Sequence, residues 1–431
     1  MADLLNARDL DFLLYEVLDV EGLCAAPRYA GHDRTTFDAA LDAAARLARE
    51  QFAPHAAADQ REPAFDGQQV TIIPEVKTAL DEFAAAGFLA APFGTEQGGF
   101  DMPWVVFQAC QAWFSAANVG THAYAFLTVG AANLLSVFGN DDQKRRYVAP
   151  MLAGRFFGTM CLSEPQAGSS LADVRCRAEP TGDGDYRITG TKMWISGGEH
   201  DLSESIVHLV LARLPDGPPG VKGISLFVVP RHRIGADGEP GERNGVALAG
   251  LNHKMGYRGT VNTVLNFGEN GECRGELVGE PHQGLRYMFH MMNEARILVG
   301  SGASMVLPRL ATAQRRGLVI GGTCLLIGLS LATMAVASSA AVDVVASLVM
   351  GTRAALIPLV IVVLMEADAV TPANMGLANG LWFSAVEVGG AAGPLVVGAI
   401  GDSGLGFAGA LWTLSAVAGG LAVIAAVGQR W

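Results

Sequence analysis

The sequence predicts a multi-domain α+β chain: an N-terminal helical domain, a middle β-barrel-like domain, then four transmembrane helices. Three observations carry this reading. Residues 35–157 place apolar side chains at helical spacing, and residues 158–280 change to short β-type runs cut by turn signals. Beyond residue 316 lie two long uncharged stretches, Gly317 to Val342 (26 residues) and Ser403 to Gln429 (27 residues).

Composition bounds the rest. A chain of 431 residues is two to four domains long, and a mean hydropathy of +0.30 with 17% charged residues excludes intrinsic disorder. Charge is spread unevenly. Residues 1–300 hold 25 basic and 37 acidic residues, a net charge of −12, and all nine His. Residues 301–431 hold five Arg and five acids and are neutral. An acidic chain repels phosphate backbones, so no nucleic-acid partner is expected. Six cysteines without CxxC spacing point to reduced thiols, with neither a zinc site nor a disulfide framework, and no metal is expected. The first residues are mixed in charge and lack the apolar core of a signal peptide.

Residues 1–34 read as an N-terminal extension. The first helix spans about 35–60, capped by Thr35 or Thr36, with a stripe of Phe37, Leu41, Ala44, Ala45, Leu47, Ala48 and Phe52 interrupted at Pro54. Further helices are expected at about 74–87, 103–117, 122–138 and 141–153. Strand-like runs follow at Tyr186–Thr189, Lys192–Ile195, Ile206–Ala212, Ile224–Val229 and Val261–Phe267, divided by turns such as Asp183-Gly184. A helical pattern restarts within 281–303, from about Gly284. Residues 304–431 carry the four spans, about 317–342, 344–365, 373–400 and 403–429. Gly317/Gly321 and Gly389/Gly393 suit close helix packing. Arg309, Arg315 and Arg316 before the first span and Arg430 after the last place both ends, and residues 1–300, on the cytoplasmic side, as at a bacterial-type inner membrane. Arg353 and Glu387 are the mid-span charges and form a candidate intramembrane pair.

Two motifs carry chemistry: Gly158-Thr-Met-Cys-Leu-Ser-Glu-Pro-Gln-Ala-Gly-Ser169-Ser170, and Gly190-Thr-Lys-Met-Trp-Ile-Ser-Gly-Gly198. In this order, after a helical domain, the pair resembles the flavin-binding signatures of the acyl-CoA dehydrogenases. The resemblance covers residues 10–300 and extends to Thr95-Glu-Gln-Gly-Gly99 and His253-Lys-Met-Gly256. The wording "DFLLYEVL" near the start resembles the family's longer subgroup, the one that includes methylmercaptopropionyl-CoA dehydrogenase.

That resemblance implies FAD as cofactor, an acyl-CoA substrate, α,β-dehydrogenation as the reaction and an electron-transferring flavoprotein as acceptor. A reduced flavin needs donors along its pyrimidine edge. By resemblance Met160, Cys161, Leu162 and Ser163 supply them, Trp194 and Ile195 line the ring, and Ser196 bonds near its reactive edge. Ser169 would meet cofactor and acyl-CoA, with Asn293 and Arg296 as further substrate contacts. Asn293 stands where the family has Asp, and Ser170 likewise. The base that takes the α-proton is not found: by resemblance most members carry it late, in the C-terminal bundle, and others just before the Arg element, where this chain has Ala295, and Glu294, one position earlier, would point about 100° away on a helix. The family's C-terminal four-helix bundle is missing, and the remainder resembles the last four helices of a major facilitator superfamily transporter. Three readings stay open: a membrane-tethered dehydrogenase, a transporter fragment, and a chimera of two gene pieces without turnover.

Overall fold

The computed structural model describes residues 4–67, 69–254, 256–310, 316–336 and 406–427, with single positions between 397 and 403. The chain divides into two compact units, Met1–Gly302 and Ala303–Trp431.

The first unit opens with short helical turns between Ala7 and Tyr29 that bury Leu14 and Val20. Helix α1 follows at Arg34–Leu47. Its cap is Asp33 and not Thr35 or Thr36: Asp33 Oδ1 accepts from Thr36 N at 2.8 Å, and Thr36 Oγ1 accepts from Asp33 N at 2.9 Å, a reciprocal capping box. The expected stripe is the buried face, with Phe37, Leu41, Ala44 and Ala45 inside, and the helix passes into a wider turn at Ala48–Phe52. Helix α2, Pro74–Ala85, starts on a proline suited to a first turn.

The two helices expected at 103–117 and 122–138 are joined as α3, Trp104–Phe138. The break between them survives as a kink at Asn118, which is non-helical (φ −157°, ψ 96°). Asn118 Oδ1 accepts from Gly120 N at 3.1 Å and Thr121 N at 3.2 Å, so its side chain caps the second half. Short helical pieces from Asp141 to Leu152 lead into the β domain.

That domain is an eight-stranded sheet: β1 Phe156–Cys161, β2 Arg177–Pro180, β3 Tyr186–Ser196, β4 Ser205–Arg213, β5 Ile224–Pro230, β6 Val246–Leu251, β7 Asn262–Phe267 and β8 Arg274–Leu277. The order is β6-β7-β3-β8-β5-β4-β1, and β2 bridges β3 and β4. The bridge closes a ring of β3, β8, β5, β4 and β2, the basis of the barrel-like shape. The expected runs at 186–189 and 192–195 are one strand. Strands β4 and β5 are buried along nearly their whole length, which explains their continuous apolar runs. Gly158 lets β1 press onto α3: a Cβ there would lie 2.4 Å from Ala131 Cβ. Helix α4, Gly284–Leu310, ends the first unit's sequence and runs past its boundary.

In the second unit, α5 (Arg316–Val336) and α6 (Gly406–Val427) pack together. At Gly328 the two come close, and its carbonyl accepts from Ser415 Oγ at 2.7 Å. Four transmembrane helices are not supported. The spans expected at 344–365 and at most of 373–400, with Arg353, Glu387 and Gly389/Gly393, lie outside the described residues. Within the described residues α5 and α6 contribute the apolar stretches Ile320–Val336 and Ala408–Val423. Among the described residues one helix is long and apolar enough to cross a membrane, α3, and 78% of its most apolar stretch is buried as a core helix.

Candidate functional site

Both motifs arrive at one end of the β domain. Strand β1 runs parallel to β4, and the chain leaves it after Cys161 in a tight loop closed by Glu164 N to Ala167 O (2.8 Å) and Ala167 N to Glu164 O (3.0 Å). Strand β3 brings the second motif alongside. Met193 N donates to Ser163 O at 2.9 Å, and Thr159 Oγ1 donates to Ser196 O at 3.0 Å. Met160, Cys161, Leu162 and Ser163 are therefore held against Trp194, Ile195 and Ser196, as the motif pairing requires.

The fastener is an ion pair that the motif reading did not single out. Lys192 is fully buried (0% exposed), and its Nζ donates to Glu164 Oε1 at 2.9 Å and to Leu162 O at 3.0 Å. Glu164 also accepts from Arg175 N at 2.7 Å and Cys176 N at 3.0 Å. Burial pushes the Glu164 carboxyl up, but Lys192 and the two backbone donors outweigh it and hold it below the usual range. The strand's sequence, which also carries Arg187, Thr189 and Thr191, does not single this lysine out; its burial does, because a buried charge needs a partner.

Trp194 sits in the left-handed region (φ 64°) and is 55% exposed. The cause lies in the pairing with β7. Ile195 opposes Thr263 and Lys192 opposes Leu265, so Met193 and Trp194 together face Val264 alone. This bulge turns the indole out of the sheet. A non-glycine residue held there costs about 1–3 kcal/mol, which the surrounding pairing must offset. Next to it, Ile195 is buried with its carbonyl bonded to Thr263 Oγ1 (3.0 Å), and Ser196 Oγ accepts from Asn262 Nδ2 at 3.1 Å. Asn262 is a second residue that motif reasoning missed. It lies on another strand, and the sequence gives no sign of the contact.

An exposed indole beside a hydroxyl held by the Asn262 side chain and a strand-end loop fits a planar, hydrogen-bonding ring. Cys161 does not fit a nucleophile: burial pushes its thiol up to about 12. Ser169 is exposed at the end of the first motif. Arg175 and Arg177, just beyond it in sequence, and Arg213, at the end of β4, line a cavity of about 710 Å³. Arg213 is fixed there by bonds to the Val174 and Ala172 carbonyls, both at 2.7 Å.

Helix α4 separates the remaining candidates. Asn293 and Arg296 are exposed and bonded to each other at 3.0 Å, with the guanidinium over the Phe289 ring. Glu294 turns inward onto α3: Asn133 Nδ2 donates to it, His290 Nε2 stands 3.7 Å away, and a Cβ on Gly130 would lie 3.6 Å from its Oε2. Burial pushes its carboxyl up to about 7. Ala295 is half-buried and offers no base.

Comparison with known proteins matches the two domains of the first unit. Residues 36–155 match the acyl-CoA dehydrogenase N-terminal domain and residues 159–269 its middle domain. The 3-methylmercaptopropionyl-CoA dehydrogenase of Ruegeria pomeroyi is 42% identical over 294 residues, 68% of this chain and 50% of that protein. A butyryl-CoA dehydrogenase of Syntrophomonas wolfei is 35% identical over 311 residues, 70% of this chain and 51% of that protein. The acyl-CoA dehydrogenase of Bacillus anthracis, solved in complex with FAD, shares the fold with a TM-score of 0.52 at 16% identity, over 92% of this chain and 58% of that one. The chain therefore carries the N-terminal and middle domains of the acyl-CoA dehydrogenase family, whose members are FAD-dependent oxidoreductases. It spans about half the length of the curated relatives it matches.

Proposed function

We propose that this chain binds FAD between the two motifs and takes an acyl-CoA thioester for α,β-dehydrogenation. The observation that carries the reading is the Lys192–Glu164 pair, which locks the two loops into one site beside the exposed Trp194. When bound, FAD would accept a hydride equivalent from the β-carbon. The chain's own residues do the holding. Trp194 flanks the ring, Ser196 is aimed by Asn262, and the Met160–Ser163 loop supplies hydrogen-bonding groups. The Arg175, Arg177 and Arg213 cavity offers cationic groups to the phosphates of a CoA ester. An electron-transferring flavoprotein is the proposed acceptor.

No residue described in the first unit supplies the base at the place the family reading requires, so turnover by this chain alone is a separate question from binding. The test separates them. The full chain is purified in detergent, its visible absorbance is read, and butyryl-CoA is added without oxygen. Stoichiometric flavin supports the site. Bleaching supports a complete enzyme, and bound flavin that does not bleach supports the chimeric reading without turnover. Protein without flavin and unable to take it up would overturn the proposal. Attachment to the cytoplasmic face of a membrane through residues 304–431 is proposed on composition alone. Release of the chain from membranes at alkaline pH would remove it.

A further inference from the structure

A buried polar chain outside the flavin motifs joins three elements. His55 is 5% exposed, Asp59 4% and Thr121 0%. His55 Nε2 lies 2.8 Å from Thr121 Oγ1, and that hydroxyl lies 3.3 Å from Asp59 Oδ2. The backbone at Gln51 bonds the other side of the imidazole. Thr121 therefore has one hydroxyl proton and two facing groups that can each accept it.

The chain is built tightly around this carboxylate. A Cβ on Gly259 would lie 1.7 Å from Asp59 Oδ1, and one on Gly120 would lie 2.5 Å from Oδ2. From Gly259 the path to the flavin motif is short. Tyr124 OH donates to Gly259 O at 3.3 Å and accepts from Val261 N at 2.8 Å. Thr260 Oγ1 donates to Gly120 O at 2.7 Å. The next residue, Asn262, donates to Ser196 Oγ.

We infer that His55, Thr121 and Asp59 form a relay holding one shared proton, and that this relay is a positioning device for the Gly259–Asn262 segment and hence for Ser196. With the proton present the relay is satisfied in either arrangement. An imidazolium donates to Thr121, which donates to the Asp59 carboxylate; or Asp59 donates to Thr121, which donates to neutral His55. The Asn118 side chain and the Thr121 backbone also favour the Asp59 carboxylate; without the proton, His55 and Asp59 still face one hydroxyl hydrogen, and one contact of the relay is lost. The other charges bearing on it are Lys254, whose ammonium burial pushes down to about 8, and Glu75 beside His55. Tyr124 is the remaining titratable neighbour, and Glu62 is occupied by His253 Nδ1 (2.6 Å) and Lys254 N (2.7 Å).

The test uses the full chain in detergent and two readouts. In the first, without flavin, melting temperature is followed from pH 4 to 9. Wild type is expected to show a step near pH 6, where burial places the Asp59 carboxyl. Asp59→Asn removes the step. His55→Gln shifts its midpoint, Thr121→Ser keeps it, and in a Thr121→Val background His55→Gln no longer shifts it. A midpoint that ignores His55, or follows it equally well without the hydroxyl, overturns the relay. The second readout rests on the flavin reading above: FAD affinity of wild type should change several-fold across the same step and stay flat in Asp59→Asn. An affinity that follows no such step overturns the positioning role. A chain that takes up no FAD defeats the flavin reading and the positioning role with it, while the melting profiles still decide the relay.

Discussion

Two carboxylates show how differently burial acts when a partner is present. Glu164 and Lys192 are both nearly inaccessible, and each satisfies the other. Removing one partner leaves a buried charge, so Lys192→Met is expected to cost about 3–5 kcal/mol in denaturant unfolding and to abolish flavin uptake. Glu294 has Asn133 as a donor and, 3.7 Å away, His290, whose imidazole burial pushes toward the neutral form, and burial raises the Glu294 carboxyl to about 7. The sign follows from proton binding. Between about pH 4.5 and 7 the folded state holds the proton more tightly than the unfolded state, so ionisation costs stability as pH rises through that window. Glu294→Gln keeps the acceptor for Asn133 and removes the charge. It should match wild type at pH 4 and exceed it by about 1–2 kcal/mol at pH 8, read from urea unfolding at both values. Equal stability at both would mean the carboxylate is better solvated than its packing indicates.

Among the elements, α3 and β3 show what periodicity reveals and what it hides. Separate helices at 103–117 and 122–138 were legible because Asn118 and Gly120 interrupt the apolar pattern. That the second half restarts directly on an Asn118 cap was not, because it depends on Asn118 bonding Gly120 and Thr121 and on Asp59 arriving from 62 residues earlier. Asn118→Ala should therefore cost about 1–2 kcal/mol, as loss of a cap does elsewhere, measured by thermal unfolding. The β3 motif was legible as a string of residues, but its geometry was not. The left-handed turn at Trp194 comes from a bulge against β7, and a one-residue mismatch between two strands leaves no mark on either strand's sequence. The same limit explains the weak strands β2 and β8, four residues each, which pair within the sheet without an apolar run of their own.

At the level of the whole chain, the change in composition near residue 300 was visible at once, and it coincides with the boundary between the two compact units at Gly302. What composition could not supply was the meaning of an apolar helix. Among the described residues the longest such helix, α3, is a buried core helix of the first unit. Hydropathy reports that water is excluded, not what excludes it. The chemistry has the same dependence on the whole. The two motifs bring together the residues proposed to hold a ring, but α-proton removal needs a carboxylate, and the one place on α4 that the family resemblance offers for it is Ala295, with Glu294 bonded to Asn133 on α3. A positioned general base contributes about 10²–10⁴-fold to rate. In the flavin-loaded chain, Ala295→Glu should therefore raise the rate of anaerobic bleaching by butyryl-CoA by about 10²-fold or more over the parent chain. Glu294→Gln should leave that rate unchanged. If Glu294→Gln instead slowed bleaching and Ala295→Glu did nothing, the inward-facing carboxylate would be the working base, and the substrate would have to approach it from the side of α3.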